Sequence, residues 1–330
     1  MAATPFDVVA VGEINADLIL SGDVMPAFGQ VEKLLDEARL VIGSSTAIFA
    51  CAAARLGLRT AIVGKVGSDV FGRFMVEALT ERGVDTSGVV VDPEVPTGLS
   101  VILSRGADRA ILTAPGAIPA LRHSEISPAL LRAARHLHLG SFFLLDALRP
   151  DVPRLFQEAR GLGATVSIDT NFDPSGAWNG GLREALRYVD VFMPNATEAR
   201  AIAGTASLDE AISDFAACVP LVAIKLGEDG AMARRGAAPP ISLSAPAVAV
   251  VDTVGAGDCF DAGFVYGFLN GWDPRRALQL GIACGSLSTR RAGGTDSQPR
   301  LEEAMRFIEG ACPEGSAGTT GEGRPWPRDP

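Results

Sequence analysis

Short runs of apolar and β-branched residues alternate with longer stretches of helical periodicity along most of this 330-residue chain. The short runs predict strands at residues 7–11, 60–63, 166–169, 189–193 and 221–225. The longer stretches predict helices at residues 47–56, 72–82, 153–162, 196–203 and 208–217. Because such alternation is typical of βαβ units around a mostly parallel sheet, the pattern predicts an α/β fold.

Two regions depart from this alternation. Residues 99–103 and 110–114 are extended runs on either side of SRGADR, which predicts an antiparallel hairpin. Residues 17–20 and 33–42 also have an extended pattern. We therefore expect a small β-sheet inserted into the α/β body, where it can serve as a lid over a site.

One domain is predicted over residues 1–312, with lid segments at about 13–42 and 95–115. Residues 313–330 are rich in Gly, Pro and Ser, and we expect a disordered tail there. The chain begins without a basic segment followed by an apolar stretch, and no apolar run reaches the roughly 18 residues that span a bilayer. A cytoplasmic protein without membrane contact is therefore expected.

The charge and the cysteines exclude further classes of protein. The chain has 29 Lys and Arg against 39 Asp and Glu, a formal net charge of −10. This balance argues against nucleic acid or an anionic membrane as a partner. The five cysteines lie far apart without a CxxC pair, which predicts reduced thiols rather than disulfides or a zinc site.

Two common phosphate-binding loops are absent from the sequence. Only Gly12 follows the first predicted strand, so the GxGxxG fingerprint is missing. Gly67 and Gly72 have Walker spacing, but Arg73 and Phe74 occupy the positions that need lysine and a hydroxyl. We interpret these glycines as tight turns between strands and helices.

The segment 245–270 offers a different anion site. Residues 247–251 predict a strand, followed by a glycine-rich turn and a helix from Asp258 onward. The backbone N–H groups of Gly255 and Gly257 can approach an anion closely at the positive end of this helix. Asp258 beside them suits a base that takes a proton from a hydroxyl attacking phosphorus. In the alternative interpretation, Asp258 only caps the helix.

The run DTVGAGDCFDAGF, residues 252–264, resembles the second signature of the ribokinase-like (PfkB-type) carbohydrate kinases, D-T-x-G-A-G-D-x-F. This resemblance implies a three-layer α/β/α sandwich with a central, mostly parallel sheet and a small β-sheet lid. It implies transfer of the γ-phosphoryl group of ATP to a hydroxyl of a sugar or sugar derivative. The implied anion hole is Gly255, Ala256 and Gly257, and the implied base is Asp258.

The resemblance also implies ATP and Mg²⁺ as cofactors, and a potassium ion bound behind the turn. The implied potassium ligands come from two segments of the chain: Asp252, Val254, Ser288, Arg291, Gly293 and Ser297.

Three further segments resemble parts of the family's nucleotide site. In VFMPNATEA, Asn195 and Glu198 would act through water on Mg²⁺ and the phosphates, although the same spacing is that of a capping box. In AIKLGEDGA, Lys225 would face the phosphates and Gly227 would admit the nucleotide; the alternative is a surface lysine at a strand end. Asn171, at the carboxyl end of a predicted strand, matches a family position near the phosphate path.

The acceptor site is expected near the start of the chain. Asn15 and Asp17 lie on one face of an extended segment, where a carboxylate can accept hydrogen bonds from two neighbouring hydroxyls. By resemblance, Asp17 holds the sugar with Asn15 beside it. The alternative is a pair of surface polar residues on an edge strand.

Residues 41–57 are similar to the family's first signature, whose first glycine is Gly43, a further substrate-binding residue by resemblance. The chain departs from this signature at Ser44, in place of glycine, and at Ile48, in place of the sugar-contacting asparagine. Loss of that amide predicts a more apolar pocket and an acceptor that is a deoxy, keto or otherwise atypical sugar.

Other interpretations stay open beside the sugar kinase. A nucleoside kinase of the same family would need an aromatic slot for the base, and a regulatory protein would bind sugar without catalysis. A homodimer through the lid is also compatible with the resemblance. His136 and His138 share a strand face without a visible third metal ligand, so we interpret them, like Phe142 and Phe143, as core residues.

Overall fold

The computed structural model describes residues 5–105 and 108–311. The strands, in chain order, are β1 (Val8–Val11), β2 (Asn15–Ser21), β3 (Glu37–Ile42), β4 (Thr60–Gly67), β5 (Asp85–Asp92), β6 (Gly98–Arg105), β7 (Asp108–Ala114), β8 (His136–Leu139), β9 (Thr165–Ile168), β10 (Val191–Phe192), β11 (Leu221–Lys225), β12 (Ala231–Arg235) and β13 (Ile241–Leu243). The α-helices are α1 (Ser45–Arg55), α2 (Val70–Glu81), α3 (Pro128–Ala133), α4 (Val152–Gly161), α5 (Leu182–Ala185), α6 (Ala196–Ala203), α7 (Leu208–Ala216), α8 (Ala256–Leu269), α9 (Pro274–Ser288) and α10 (Leu301–Ala311).

The larger sheet has the strand order β13-β12-β11-β10-β9-β8-β1-β4-β5 within the described residues. Neighbouring strands from β11 to β5 pair in parallel, whereas β12 and β13 add on in antiparallel fashion. Its central strands, among them β1, β8 and β10, are buried along their whole length, as is usual for a parallel sheet that helices cover on both sides.

Two hydrophobic cores flank the larger sheet. On β1, Val8 and Ala10 belong to one core, which includes buried residues of α1, α8 and α9. Val9 and Val11 belong to the other, which includes buried residues of α4 and α7. Since successive strand side chains point to opposite faces, this division gives the predicted three-layer α/β/α sandwich.

A smaller sheet, of order β3-β2-β6-β7 in the part of the chain described, comes from the segments expected to form the lid. Strands β6 and β7 form the predicted antiparallel hairpin, and β2 pairs in parallel with β6, so that Asp17 lies opposite Ser100. The predicted tail, residues 313–330, lies outside the described residues.

One predicted strand is wrong. Residues 247–251 form no strand; instead the N–H groups of Val251 and Asp252 donate to the carbonyl of Thr289, and Val250 and Val251 are exposed. β13 is the edge strand of the larger sheet at this end, and the segment does not pair with it. Apolar character alone therefore indicated a strand that does not form.

The interpretation of His136 and His138 as core residues is confirmed. The two ring nitrogens of His136 lie 2.8 and 2.7 Å from the hydroxyls of Thr165 and Ser167, and His138 Nδ1 lies 2.8 Å from Ser167. Burial lowers the pKa of His138 to about 3, so this ring is neutral. Phe142 is likewise buried in the core.

Cys51, Cys218, Cys259 and Cys284 are free thiols, as predicted, and Cys312 lies outside the described residues. Within the described part of the chain, no helix combines the length and the apolar character needed to cross a bilayer.

Asp7 connects the beginnings of three neighbouring strands. Its carboxylate accepts hydrogen bonds from the backbone and guanidinium of Arg59, before β4, and from Arg135, before β8. The side-chain hydrogen bond from Arg59 is the main cause that lowers the pKa of Asp7 to about 2.

We expect Asp7→Asn to lower the free energy of unfolding at pH 7 by about 1 kcal/mol, because both guanidinium groups are about half exposed and therefore screened. Because the pKa of Asp7 is lower in the folded than in the unfolded protein, its charge stabilises the fold at pH values above the unfolded pKa near 4. This contribution is lost as the pH falls towards 2, so the stabilities of wild type and Asp7→Asn should converge there. Urea unfolding of both proteins from pH 2 to 7 measures the difference, with Asp36→Asn, at an exposed site, as the control. Parallel pH profiles for wild type and Asp7→Asn would contradict it.

Candidate active site

Polar residues gather where neighbouring strands of the larger sheet end. Glu13 follows β1, Ser141 follows β8 and Asp169 follows β9, while Asn195 follows β10 and Lys225 ends β11. Because the carboxyl ends of parallel strands meet at one edge, these side chains line the position where open α/β sheets bind ligands.

The turn before α8 presents backbone donors at the same edge. Gly255 has φ +74° and precedes the first turn of α8, and the Ala256 N–H is already bonded to the Thr253 carbonyl at 3.3 Å. Among the described residues, the N–H groups of Gly255 and Gly257 have no hydrogen-bond partner. Of the three residues predicted for the anion hole, the geometry therefore favours Gly255 and Gly257 as donors.

Asp258 lies in the first turn of α8, with its carboxyl group buried among other titratable side chains. Burial is the largest effect that raises the pKa of Asp258 to about 7. The charges of Asp169 and Glu13 raise it further, whereas Lys225 and a hydrogen bond from Ser45 oppose the rise. A carboxyl group of this pKa can exchange a proton near neutral pH.

Lys225 forms a buried ion triad. Its Nζ lies 2.9 Å from Asp169 Oδ2 and 2.9 Å from Asp261 Oδ2, and a side chain added at Gly257 would begin 3.6 Å from this ammonium. Burial by itself lowers the pKa of Lys225, but the two carboxylates outweigh it and raise the value. The alternative of an exposed surface lysine is therefore wrong.

Three carboxyl groups, of Asp169, Asp258 and Asp261, have oxygens within 4.8 Å of one another. The Lys225 ammonium already binds two of them and supplies the positive charge that such a group needs. This arrangement fits a lysine rather than a metal ion.

The predicted acceptor residues meet between the two sheets. Asn15 Nδ2 donates to Asp17 Oδ1 at 3.0 Å and lies 3.4 Å from the Ser100 hydroxyl on β6. Gly43 lies directly against this carboxylate, because a Cβ atom there would collide with Asp17. Burial, with a contribution from Glu13, raises the pKa of Asp17 to about 7.

The segment with Asn195 and Glu198 forms the capping box that its spacing suggested. The Asn195 side chain accepts from the N–H groups of Thr197 and Glu198, and Glu198 Oε2 accepts from Asn195 N at 2.9 Å. Burial is the main cause that raises the pKa of Glu198 to about 7, and Asp169 adds to the rise. Gly227, at φ +64°, has open space on its side-chain side, as a nucleotide-admitting turn requires.

The side chain of Asn171, which is partly exposed, is held by two serine hydroxyls. It lies between Ser45 and Ser141, and the backbone N–H of Asn171 donates to Asp169 Oδ1 at 3.2 Å. These contacts connect the end of β9 with the beginning of α1.

The two segments predicted to bind potassium are adjacent. Asp252 accepts from the N–H groups of Val254 and Gly293, both at 2.9 Å, and Ser297 donates to the Ser288 carbonyl at 2.6 Å.

The guanidinium group of Arg109, from the smaller sheet, contacts the first of these two segments. Arg109 Nη1, on β7, lies 3.2 Å from Asp252 Oδ1 and 3.2 Å from the Thr253 hydroxyl. Arg291, one of the residues predicted for the potassium site, lies in the exposed bend that precedes Gly293.

Ile48 is a packing residue in this structure. It is buried in the core on α1, and a Cβ atom on Gly255 would lie 2.8 Å from Ile48 Cγ2. Its carbonyl accepts from Gln298 Nε2 at 2.9 Å. Ile48 therefore packs against the turn before α8. Ser44, the other departure, keeps a glycine-like φ of +72° and caps α1 through its hydroxyl.

The sequence analysis missed Glu13, Ser45, Asp261 and Arg109 as residues of the site. The spacing of Asp261, one helical turn after Asp258, and the charge of Glu13 directly after an apolar strand were available signals. Ser45 and Arg109 carried no such signal, because only the tertiary fold brings them to the site.

A family model described as pfkB family carbohydrate kinase matches residues 6–301. The 2-dehydro-3-deoxygluconokinase of Bacillus subtilis is 31% identical over 273 residues, which cover 78% of this chain and 84% of that protein. An Escherichia coli protein assigned as a ribokinase II, crystallised with ATP and Mg²⁺, is similar with a TM-score of 0.81 at 27% identity, over 92% of this chain and 99% of that one. A fructokinase double mutant from Vibrio cholerae, with fructose, ADP and potassium bound, has a TM-score of 0.78 at 27% identity, over 93% of this chain and 100% of that one.

We expect Gly255→Ala to destabilise the protein by about 3 kcal/mol, because an L side chain is strained at this φ and would also press on Ile48 and Gly294. Gly204→Ala is the matched control, since Gly204 has φ +68° but open space around it, and should cost only about 1 kcal/mol. Chemical denaturation of the three proteins measures the difference. Equal losses in both variants would show that the turn is not tightly packed.

Proposed function

Because the chain belongs to the pfkB family of carbohydrate kinases, and is therefore a phosphotransferase with an alcohol acceptor, we propose that Asp258 is its catalytic base and that Gly255 and Gly257 bind the transferred phosphoryl group. The observation that carries this proposal is one helix terminus that offers both a carboxyl group of pKa about 7 and two backbone N–H groups without partners.

The proposed reaction moves the γ-phosphoryl group of ATP to a sugar hydroxyl. The hydroxyl oxygen bonds to phosphorus, the bond from phosphorus to the ADP oxygen breaks, and the hydroxyl proton passes to Asp258. The backbone donors stabilise the negative charge of the phosphoryl oxygens, with Ala256 holding the turn between them. A sugar-binding regulatory protein without catalysis would gain nothing from a base beside an anion site.

The nucleotide is expected along the carboxyl ends of β10 and β11. Gly227 leaves space for it, and Lys225 and Asn195 lie side by side, as a backbone bridge between them shows. Lys225 would place its positive charge near the phosphates. Asn171 would act indirectly, because it contacts Ser45, Ser141 and Asp169 at the end of β9.

Glu198 fits the expected role towards Mg²⁺. Its carboxyl group is a buried hard-oxygen donor of the kind that Mg²⁺ prefers, and Asp169, Asp258 and the Lys225 ammonium all act on it. When bound with ATP, Mg²⁺ would neutralise phosphate charge. Glu198, fixed by Asn195, would orient the waters of that ion.

The potassium site is compatible with the structure in part. The carboxylate of Asp252 and the carbonyls of Val254, Ser288, Arg291 and Gly293 come from the two adjacent segments, with Ser297 bonded to Ser288. Oxygen donors of this kind suit a monovalent cation, but the Arg109 guanidinium already lies against Asp252. We propose that potassium activates the enzyme and that it shares the Asp252 carboxylate with Arg109. A higher reaction rate with K⁺ than with Li⁺ would support this proposal.

The acceptor is proposed to be a deoxy or keto sugar derivative held by Asp17 and Asn15, beside Gly43. The support is that several relatives are named for dehydro-deoxy acceptors, among them the Bacillus subtilis protein. The earlier reason for this expectation, a pocket made apolar by Ile48, is not supported, because Ile48 packs beneath the catalytic turn.

A second candidate is a nucleoside acceptor, favoured by a cavity of about 400 Å³ next to the acceptor residues. It is lined by Thr113, Ile118, Phe143, Arg149 and Asn179 among others, and the Thr113 hydroxyl lies 3.0 Å from Ser100. A mainly apolar cavity with an aromatic wall would suit a base attached to the phosphorylated sugar.

A homodimer through the smaller sheet is also proposed. By strand alternation, Leu18, Leu20, Val101, Leu103 and Leu112 share one face of this sheet, opposite to Asp17. Such an apolar face is typical of an interface. A light-scattering mass of a single chain would count against it.

We expect Asp258→Asn to lower kcat by roughly 10²–10⁴-fold, because proton removal by a positioned base is lost. Sugar and ATP binding, measured by calorimetry, should be retained. In the wild type, kcat should fall as the pH drops below about 7, since protonation removes the base. Near-normal turnover of a folded Asp258→Asn protein would remove this residue from its role.

We expect Asp17→Ala to raise the KM for the acceptor by about 10–100-fold, because hydrogen bonds from its hydroxyls to a carboxylate are lost. Asp17→Asn should have a smaller effect. The assay is ADP release with a panel of sugars, sugar acids, phosphosugars and nucleosides. Best turnover with a nucleoside would favour the second candidate, and an unchanged KM would place the acceptor elsewhere.

A further inference from the structure

Carboxylates from two different elements hold the ammonium group of Lys225. Its Nζ donates to Asp169 Oδ2, just after β9, and to Asp261 Oδ2, on α8, both at 2.9 Å. Asp261 is buried, and only 11% of the Lys225 side chain is exposed. An ammonium group has three hydrogens, and these two carboxylates are its only partners among the described residues. One hydrogen is therefore left for a ligand.

This ammonium lies beside the turn that carries the backbone donors. A Cβ atom on Gly257 would lie 3.6 Å from Lys225 Nζ and 3.8 Å from Lys225 Cε. Because glycine has no side chain, nothing from residue 257 covers this flank of the lysine. An anion that binds the N–H of Gly257 would therefore be within reach of the ammonium as well.

Stability alone does not account for Asp261. Its Oδ1 is buried without a hydrogen-bond partner in the part of the chain that the structure describes. Its carboxyl group also lies close to those of Asp169 and Asp258, with oxygens of the three within 4.8 Å of one another. An unpaired buried oxygen and like charges nearby both cost free energy, and native proteins keep few such atoms. We therefore looked for a task that needs this carboxylate.

We propose that Asp261 is a positioning residue that, together with Asp169, fixes the Lys225 ammonium beside the turn before α8, where its third N–H meets the transferred phosphoryl group. The inference rests on the proposed function, in which Gly255 and Gly257 bind that group.

The two carboxylates have different tasks because they belong to different elements. Asp169 connects the ammonium with the end of β9 in the larger sheet. Asp261 connects it with α8, the helix whose first turn contains Gly257 and Asp258. A lysine side chain is flexible, and one carboxylate leaves its ammonium free to swing. The second contact therefore ties the positive charge to the same helix as the backbone donors.

We expect Asp261→Leu to lower kcat by about 10–100-fold, because an ammonium held by one carboxylate loses its fixed place beside the phosphoryl group. The KM for ATP should not rise, because the variant also removes a negative charge from beside the phosphates. A fall in kcat without a rise in KM separates a misplaced lysine from general damage to the nucleotide site, which would raise KM.

Asp261→Asn separates position from charge. The amide removes the same negative charge but keeps an oxygen that can accept from Lys225, so it should restore most of kcat. Its nitrogen can also donate where Oδ1 now has no partner, so the variant should unfold at a temperature no lower than that of the wild type. A loss of kcat equal to that of Asp261→Leu would overturn the positioning role.

Glu125→Leu is the matched control. It takes one of two carboxylates from another buried lysine, Lys65, whose Nζ lies 3.1 Å from Asp92 and 2.7 Å from Glu125. None of these three residues belongs to the proposed site. The kinetics of this variant should equal those of the wild type, whatever it does to the unfolding temperature.

Lys225→Met, alone and combined with Asp261→Leu, tests whether Asp261 acts through the lysine. If it does, the double variant has the kcat of Lys225→Met, because the two losses are one and the same. A further loss in the double variant would overturn the proposal. Where Lys225→Met does not fold, the comparison of leucine with asparagine at position 261 decides.

Asp258→Asn is measured in the same series. If it is nearly inactive while Asp261→Leu keeps the kcat of the wild type, the positioning role is wrong and the proposed base is unaffected. If Asp258→Asn is fully active, the proposed function itself fails. Thermal unfolding of each variant confirms that losses of rate occur in folded protein.

Discussion

The buried ammonium of Lys225 is the interaction on which the rest of the site depends. It lies 2.9 Å from the carboxylates of Asp169 and Asp261, and its charge also acts on Asp258 and Glu198. Buried carboxylates are costly unless a positive group pairs with them, and an unpaired charge in such a place costs several kcal/mol. Lys225 therefore allows the sheet edge to collect carboxyl groups that would otherwise repel one another.

The fold supplies this arrangement through its topology. Strands β9, β10 and β11 are neighbours in the sheet and run in parallel, so Asp169, Asn195 and Lys225 end side by side. Helix α8 adds Asp258 and Asp261 on one side of its first turns. Neither the strands nor the helix holds a complete site, and the chemistry exists only where the two meet.

The sequence predicts those parts of the site that are local. A few consecutive residues determine the turn from Gly255 to Asp258, and the same is true of the capping box of Asn195 and Glu198. The alternation of strands and helices indicates the three layers. The pairing of Lys225 with Asp261, 36 positions apart, has no local signature.

The contact between Asn171 and Ser45, 126 positions apart, is invisible in the sequence for the same reason, because it depends on how helices pack on the sheet. Local pattern can also mislead. Residues 247–251 have strand character, but they form no strand, and the N–H groups of Val251 and Asp252 bond to the Thr289 carbonyl instead.

Ile48, which replaces an asparagine of the first family signature, belongs to the part of the site around α8 and not to the part in the smaller sheet. Ile48 and Gly255 are in contact through the core, so position 48 supports the turn that carries the backbone donors. The residues that we propose for recognition of the acceptor lie elsewhere: Asp17 and Asn15 begin β2, and Ser100 lies across from them on β6. The larger sheet and α8 hold the proposed base, whereas the smaller sheet holds the proposed acceptor residues. Because neither sheet has both, the proposed reaction would depend on the position of one sheet relative to the other, which would determine whether a bound hydroxyl reaches Asp258.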